Sequence, residues 1–369
     1  MKILIYIAHP AQYHFYRFII KALQRHGHTT RLLIKSKDIL ETLLIEDGIP
    51  HENILPGGRN GKVSGMFMSM MKRDFRVLRI ARKFHPDILL GSDSCTAHTG
   101  WIIHRPSITI GEDDYAIIKK LAWAMLPFTS VIISPKVCNM GPFEYKKIPF
   151  EGYMKLAYLH PNVFTPDSEI SSRYVTGKYC IIRTARLSAH HDGNIRGLDK
   201  TTVEKLICVL ESNGMTIFID SEDPMEELLS KFRLQIRKNH FHHLVAFAEL
   251  VISDSQSLSV EAALLGVPSI RYNDFAGKIS VLEELEYIWR LTFGIKPGEQ
   301  ERLFSKLYEL LHLPNRKEEF QQRRQRMLSQ KIDVKEFMVW FIENYPESIK
   351  QMKQNTMIQN QFKTVKNAL

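Results

Sequence analysis

The chain has 369 residues, of which 44% are hydrophobic and 24% charged, with a formal net charge of +10. This length accommodates two domains of ordinary size, each with its own core, and the composition excludes a disordered or fibrous chain. No apolar stretch reaches the roughly 18 residues that a membrane-spanning helix needs. The apolar run at residues 1–7 is too short for the core of a signal peptide, so a cytoplasmic protein is expected.

The four cysteines are widely spaced and form no CxxC pair. This spacing argues against a disulfide framework or a zinc site, so we expect reduced thiols that are mostly buried. The positive net charge favours anionic partners, such as phosphorylated substrates or anionic lipid. Nucleic acid is not expected as a partner, because no zinc finger, RNP-type strand or basic heptad helix is recognisable.

In the first half of the chain, short apolar segments alternate with segments of helical periodicity. Strands are predicted at residues 2–7, 30–34, 88–90, 107–110 and 131–134, and helices at residues 14–26 and 38–46. This alternation is typical of βαβ units and predicts a mainly parallel sheet.

The pattern is interrupted by Pro161 and Pro166 and then restarts, which places an interdomain connection at about residues 158–168. Strands follow at residues 179–183, 216–219, 250–253 and 268–272, and helices at residues 200–212, 225–232 and 258–265. The predicted fold class is therefore α/β, with two Rossmann-like domains at residues 1–160 and 161–332 whose parallel sheets face a cleft. Residues 333–369 are predicted to form a C-terminal amphipathic helix and a polar tail.

The segment Ser253-Asp254-Ser255-Gln256-Ser257 separates a predicted strand from a predicted helix. The free N–H groups and partial positive charge at the start of a helix bind phosphate well, and serine hydroxyls add donors. Glu261, one turn further along, could accept hydrogen bonds from both hydroxyls of a ribose. The alternative interpretation is an ordinary strand–turn–helix connection with a serine cap.

Polar residues also follow the predicted strands of the first domain: His9, Asp93 and Glu112. Ligands of such sheets bind beyond the carboxyl ends of the strands, where two carboxylates could act as general base and general acid. The alternatives are a capping role for His9 and Asp93 and a solvated turn at residues 112–114.

Three further candidates follow strands of the second domain. Arg183 could neutralise a pyrophosphate leaving group, and His190 could touch phosphate or transfer a proton. Asp274 could contact a sugar. No metal is expected, because adjacent histidines such as His190 and His191 usually point apart.

Basic residues recur at helical spacing between Lys72 and Lys83, and Met71, Phe75 and Leu78 form much of the other side. Such a helix could dock on an anionic membrane and reach a lipid-linked acceptor. The alternative is a core helix with a solvated basic face.

Three segments carry a family resemblance: MKILIYIAHPAQYHFYRFIIKALQRHGH, FEGYMKLAYLHPNVFTPD and HHLVAFAELVISDSQSLSVEAALLGVPSIRYNDFAG. They resemble the uncharacterised domain-of-unknown-function 354 family, which is grouped with GT-B-fold UDP-N-acetylglucosamine 2-epimerases and glycosyltransferases. The resemblance implies a GT-B architecture in which Ser255, Gln256 and Ser257 hold a diphosphate. It also implies that Glu261 holds the ribose and that His242 and His243 lie near the base.

By the same resemblance, the expected function is nucleotide-sugar-dependent glycosyl transfer in surface polysaccharide or glycoconjugate biosynthesis. The donor would be a UDP-sugar, the acceptor a saccharide or a lipid-linked group, and no cofactor would be needed. A UDP-N-acetylhexosamine 2-epimerase, possibly hydrolysing, is the alternative, and a non-catalytic nucleotide-sugar-binding protein the third. The carboxylate segments of the epimerases match Gly91-Ser92-Asp93 and Gly111-Glu112-Asp113 only approximately. The expected location is the cytoplasm, including the inner face of the membrane.

Overall fold

The chain divides into two compact units. The structure, a computed structural model, describes residues 1–35, 39–55, 63–184, 196–221 and 227–363. One unit comprises Met1–Val163 together with the residues from Lys331 onward, and the other comprises Phe164–Gln330. Residues 333–369 were predicted as a separate segment, whereas the structure packs the described part of that segment into the first unit.

The first unit alternates strands and helices, and then receives the C-terminal helices. Its strands are β1 (Lys2–Ile7), β2 (Thr29–Ile34), β3 (Glu52–Asn53), β4 (Ile88–Gly91), β5 (Ser107–Ile110), β6 (Val131–Pro135) and β7 (Lys147–Phe150). The helices that accompany them are α1 (Pro10–Arg25), α2 (Leu40–Glu46), α3 (Val63–Phe84), α4 (Ser94–Ile102), α5 (Tyr115–Met125) and α6 (Leu156–Leu159), with a 3₁₀ helix at Gly141–Lys146.

Within the described residues, the first sheet has seven parallel strands in the order β3-β2-β1-β4-β5-β6-β7. Residues 3–7 of the central strand β1 are fully buried, as expected for a parallel strand covered on both faces. The chain changes direction across the sheet between β1 and β4, so the loops after these two strands flank a topological switch point.

The second unit repeats the alternation with fewer strands. Its strands are β8 (Tyr179–Thr184), β9 (Thr216–Ser221), β10 (Leu250–Ser253), β11 (Ser269–Tyr272) and β12 (Thr292–Ile295). Its helices are α7 (Ser168–Ser172), α8 (Lys200–Ser212), α9 (Glu227–Ser230), α10 (Phe241–Phe247), α11 (Gln256–Leu265), α12 (Ser280–Glu283), α13 (Gln300–Leu311) and α14 (Arg316–Leu328). A 3₁₀ helix covers Lys238–His240 and a π-helical segment covers Glu284–Ile288.

The described strands of the second unit form one parallel sheet in the order β12-β11-β10-β8-β9. Counted from β8, this is the 2-1-3-4-5 order of doubly wound folds, with its switch point between β8 and β10. The loop after β10 contains Ser253 to Ser257, so the segment selected from the sequence lies at this switch point.

The C-terminal helices α15 (Val334–Glu343) and α16 (Glu347–Gln354) and a 3₁₀ helix at Thr356–Phe362 complete the first unit. Phe337 of α15 is fully buried, and its ring centroid lies 5.9 Å from that of Phe150. At the end of α15, Glu343 Oε1 lies 2.7 Å from His26 Nδ1 and 2.9 Å from His28 Nε2. Aromatic packing and polar contacts thus attach the tail to the strand β7 and the end of α1.

All four cysteines are free, and Cys208 is the exposed one, in agreement with the sequence-based expectation. No helix in the described part of the chain is long and apolar enough to cross a membrane.

Candidate functional site

The amino terminus of α11 presents polar groups at the switch point of the second sheet. Ser255 is the N-cap residue, with extended backbone angles, yet its side chain accepts no hydrogen bond from the helix. Its own N–H donates to Ser253 Oγ at 2.8 Å. The first N–H groups of α11 therefore lack the serine cap that the alternative interpretation required, and they are available to an anion.

The side chains of Ser255, Gln256 and Ser257 are half-buried and form no hydrogen bond with any described residue. By contrast, the backbone of the loop is held firmly, because Asn273 Nδ2 donates to the Asp254 carbonyl at 2.8 Å. The loop thus combines a fixed backbone with unused hydroxyl and amide groups, which suits binding of a phosphate group.

Glu261 and His242 lie together beneath this helix start. His242 Nε2 is 3.4 Å from Glu261 Oε1, and the two side chains are 6% and 11% exposed. Phe164 packs against both histidines of α10, with ring centroids 6.2 Å from His242 and 4.8 Å from His243. The structure therefore brings together in one unit the residues expected to contact the ribose and the base.

The ring of His243 accepts one backbone hydrogen bond and has a lowered pKa. Its Nδ1 accepts a hydrogen bond from the Asp167 backbone N–H at 3.0 Å, which leaves Nε2 to carry the proton. Burial lowers the pKa of His243 most, the charge of Asp167 opposes this shift, and His240 and His242 lower the pKa further. A neutral ring with one N–H donor suits contact with an uncharged base better than with a phosphate.

Asp274 is engaged by Arg196, which was not among the predicted site residues. The Arg196 backbone N–H donates to Asp274 Oδ2 at 2.7 Å, and Arg196 Nη2 lies 3.1 Å from Asp274 Oδ1. These hydrogen bonds lower the pKa of Asp274. The observed role of Asp274 is to hold the chain at Arg196, and its contact with a sugar remains a prediction.

Gly197 follows Arg196 and touches the candidate loop directly. A Cβ atom at Gly197 would lie 2.6 Å from Asp254 Oδ2, closer than any side chain tolerates. No sequence pattern predicts this contact, because Gly197 and Asp254 are distant along the chain.

Arg183 is the penultimate residue of the switch-point strand β8, in register with Ser253 of β10. Its guanidinium pairs with Asp220 of β9. This pairing keeps a cation beside the candidate loop, and its role towards a pyrophosphate remains a prediction. His190 and its loop lie outside the described residues.

In the first unit, two of the proposed catalytic residues cap helices, as their alternative interpretation expected. His9 Nδ1 accepts from the Ala11 N–H at 3.2 Å at the start of α1. Asp93 accepts from the Cys95 N–H at 3.3 Å at the start of α4. Asp93 also pairs with Arg73 of α3, whose Nη2 lies 2.8 Å from its Oδ1.

Glu112 has a buried cationic partner. It pairs with Lys155, whose side chain is 8% exposed, and it also accepts from the Met154 N–H at 3.2 Å. The next carboxylate, Asp113, is exposed and forms no hydrogen bond with the described residues. Asp113 was not among the residues selected from the sequence.

The pKa of Asp113 is raised, first by partial desolvation from the surrounding protein and then by the negative charge of Glu112. A general base is most effective when its pKa lies near the working pH, so this shift improves Asp113 as a base. The adjacent Asp114 is unsuitable in comparison, because it is buried and its Oδ1 accepts from the Asn139 N–H at 2.8 Å.

Helix α3 differs from the amphipathic pattern predicted for it. Arg73 pairs with Asp93, and Arg76 donates to the Ile54 carbonyl, so two of its cations serve contacts within the unit. The buried face contains Val77, whereas Met71 and Phe75 are 54% and 67% exposed. The basic residues and the apolar residues therefore do not form two separate faces, and contact with a membrane remains a prediction.

The chain is similar in structure to solved proteins, but no sequence relative was found among family models or curated proteins. No protein-family model matches the chain, and no curated protein matches it. A UDP-bound structure of MnaA from S. aureus aligns with a TM-score of 0.69 and 13% identity, over 95% of this chain and 98% of that one. The UDP-GlcNAc 2-epimerase of Neisseria meningitidis bound to UDP-GlcNAc aligns with a TM-score of 0.67 and 15% identity, over 87% and 94%.

Glycosyltransferases are also similar. SsfS6 from Streptomyces sp. SF2575 aligns with a TM-score of 0.57 and 12% identity, over 93% of this chain and all of that one. Two parallel-sheet units of this topology, matched over nearly the whole chain, define a GT-B fold, as the sequence predicted.

Proposed function

We propose that this chain is a UDP-sugar-dependent enzyme and that its activity is glycosyl transfer to a saccharide or lipid-linked acceptor. The observation that carries the proposal is the uncapped start of α11 at the switch point of the second sheet. Beneath it lie the buried carboxylate of Glu261 and the ring of His242, 3.4 Å apart. The similar structures include a UDP complex and a UDP-GlcNAc complex.

The donor would bind through its diphosphate and its nucleoside. The free N–H groups of α11 and the hydroxyls of Ser255 and Ser257 would hold the diphosphate, and Arg183 would supply positive charge. Glu261 would accept from the ribose hydroxyls, with His242 and His243 towards the base. Stabilising the departing diphosphate lowers the barrier to an oxocarbenium-like transition state at the sugar.

Glycosyl transfer needs one base for the acceptor hydroxyl. We propose that this base comes from the carboxylates that follow β4 and β5. Asp113 suits the role best, because Asp93 and Glu112 are paired with Arg73 and Lys155 while Asp113 is exposed and has a raised pKa.

A 2-epimerase is the second candidate, favoured by the higher TM-scores of the epimerase structures. Such a reaction needs a group that abstracts the proton at C2 and further acids around the sugar. Asp93 and Glu112 would have to take part while paired with cations, so the pairing pattern favours transfer.

Binding and isotope exchange test these proposals separately. Calorimetry with UDP and UDP-sugars should show saturable binding, and the complete absence of binding would overturn both candidates. In heavy water, a 2-epimerase introduces deuterium at C2 of the recovered UDP-sugar, whereas a transferase leaves C2 protonated. Deuterium at C2 would therefore exclude transfer as the sole activity and establish epimerisation.

Asp113→Asn tests the choice of base. We expect it to lower kcat by about 100-fold or more, the usual contribution of a general base, while UDP affinity stays unchanged. Asp87→Asn is the matched control, since Asp87 is an exposed carboxylate directly before β4. It accepts a hydrogen bond from the Lys2 N–H. Equal rates for Asp113→Asn and the parent would remove Asp113 from the reaction.

A further inference from the structure

The second unit has a cavity of about 400 Å³ away from the start of α11. It lies between the segment that precedes β12 and the helix α14, and three arginines line it: Arg290, Arg323 and Arg326. Known small-molecule sites have volumes of roughly 300 to 1,000 Å³, so the cavity can hold a small ligand.

This cavity belongs to the opposite edge of the sheet from the candidate nucleotide site. Arg290 precedes the amino end of β12, whereas Ser253 ends β10 at its carboxyl edge. Because all described strands of this sheet are parallel, these two ends lie on different edges. A ligand here would not compete with a nucleotide at α11.

The three arginines are not equivalent. Arg323 is fixed: its Nε lies 2.8 Å from Glu319 Oε1, and its Nη1 donates to the Arg290 carbonyl at 2.8 Å. Arg290 and Arg326, in contrast, form no side-chain hydrogen bond or ion pair with any described residue. Among the described residues that line the cavity, Glu319 is the one acid, and it is already paired with Arg323, so two positive charges of this lining are uncompensated.

Apolar side chains form the rest of the wall. Tyr287 and Ile288 are each 65% exposed, and Trp289 lies beside them. The segment is π-helical up to Ile288, and Arg290 ends it with a left-handed φ of 53°. A left-handed residue is common at a helix end, whereas a π-helical segment is rare and recurs at functional sites.

We infer that this cavity binds a small organic phosphate, with the dianionic group between Arg290 and Arg326 and an apolar or ring portion against Tyr287 and Ile288. A phosphate monoester supplies the two negative charges that the arginines lack, and arginine matches its oxygens with paired N–H donors. The apolar wall would distinguish an organic phosphate from inorganic phosphate.

Calorimetry with phenyl phosphate as probe and inorganic phosphate as comparator tests the inference at constant ionic strength. We expect phenyl phosphate to bind at least about tenfold more tightly than inorganic phosphate, which corresponds to about 1.4 kcal/mol. Arg290→Gln and Arg326→Gln should each weaken phenyl phosphate binding by about tenfold, because each removes one charge-assisted contact.

Arg302→Gln is the matched control: it removes an exposed arginine of α13 outside the cavity. It should leave binding unchanged, and a thermal melt without ligand should show that all variants are folded. Binding that is equal in the parent and both cavity variants would overturn the inference, as would the absence of saturable binding. Saturating UDP should not displace phenyl phosphate, and full displacement would assign the probe to the start of α11 instead.

Discussion

His242 Nε2 lies 3.4 Å from Glu261 Oε1, across the packed helices α10 and α11. The contact positions the carboxylate expected to hold a ribose before any ligand is present. Preorganisation of this kind reduces the entropy lost on binding, since the side chain need not be ordered again. It also makes Glu261 a sensitive position for testing the nucleotide site.

Glu261→Ala should weaken UDP binding by about tenfold to 100-fold, since a hydrogen bond to a charged group contributes about 1.5 to 3 kcal/mol. Calorimetry with UDP measures the change. Glu309→Ala, which removes an exposed carboxylate of α13, is the control and should bind UDP like the parent. An unchanged affinity of Glu261→Ala would exclude the ribose contact.

Lys155→Met should destabilise the first unit by about 3 to 5 kcal/mol, because it leaves Glu112 half-buried without its cation. Urea denaturation measures the free energy of unfolding. Lys136→Met is the comparison: Lys136 also pairs with a glutamate, but its side chain is 65% exposed, so its loss should cost less than about 1 kcal/mol. Similar losses for both variants would contradict the buried pairing.

The same replacement should change the pH dependence of activity. Lys155 lowers the pKa of Asp113, so Lys155→Met should raise that pKa above its already raised value. If Asp113 is the base, the acidic limb of the kcat profile moves to higher pH in Lys155→Met. If the acidic limb of Lys155→Met stays at the pH of the parent, Asp113 is not the catalytic base.

His98 should make stability depend on pH. Its Nδ1 lies 2.7 Å from Asp74 Oδ2 and its Nε2 lies 2.7 Å from the Ala124 carbonyl oxygen. The hydrogen bond to Asp74 and that to Ala124 raise its pKa above the usual 6.5. This stabilisation is fully present below about pH 6.5, the unfolded value, and is lost as pH rises through the folded pKa.

Urea denaturation across this pH range should therefore show a decline in stability that His98→Asn abolishes. His85→Asn, at an exposed histidine after α3, is the control and should keep the parental decline. If the stability of His98→Asn declines with pH as that of the parent does, another group causes the effect.

Gly294→Ala should destabilise the second unit by about 1 to 3 kcal/mol, the usual cost of overpacking. A Cβ atom there would lie 2.8 Å from Nη2 of the fully buried Arg271 and 2.9 Å from Oε2 of its partner Glu286. Thermal unfolding compares it with Gly111→Ala, where a Cβ atom meets nothing within 4 Å. Equal stability of the two variants would show that the buried pair can move aside.

Local patterns sufficed for much of the fold. The buried strand β1 reads as an apolar run, and α8 was predicted with the bounds that the structure has, because periodicity and the Asn213-Gly214 stop are local features. Helix α11 begins at Gln256, two residues before the predicted start, since the segment selected as a loop already enters the helix.

The candidate site was only partly predictable. The sequence located Ser255 to Ser257 after a strand, but whether a serine caps the helix depends on its rotamer. It also could not show that Arg73 faces Asp93 or that Lys155 faces Glu112, because those partners are brought together by packing of α3 and of the segment after β7. Asp113 becomes the preferred candidate base only once Glu112 and Asp114 are known to be engaged with other residues.

The sequence by itself determined the two α/β units and placed the polar segment at Ser253 between a strand and a helix, because both follow from short-range periodicity and residue type. The tertiary structure alone decided that the C-terminal helices complete the first unit. An amphipathic pattern shows that α15 has a face to bury, but not which surface covers it. The tertiary structure also decided which carboxylates are paired and which arginines line a cavity, since these features depend on distances between residues far apart in the chain.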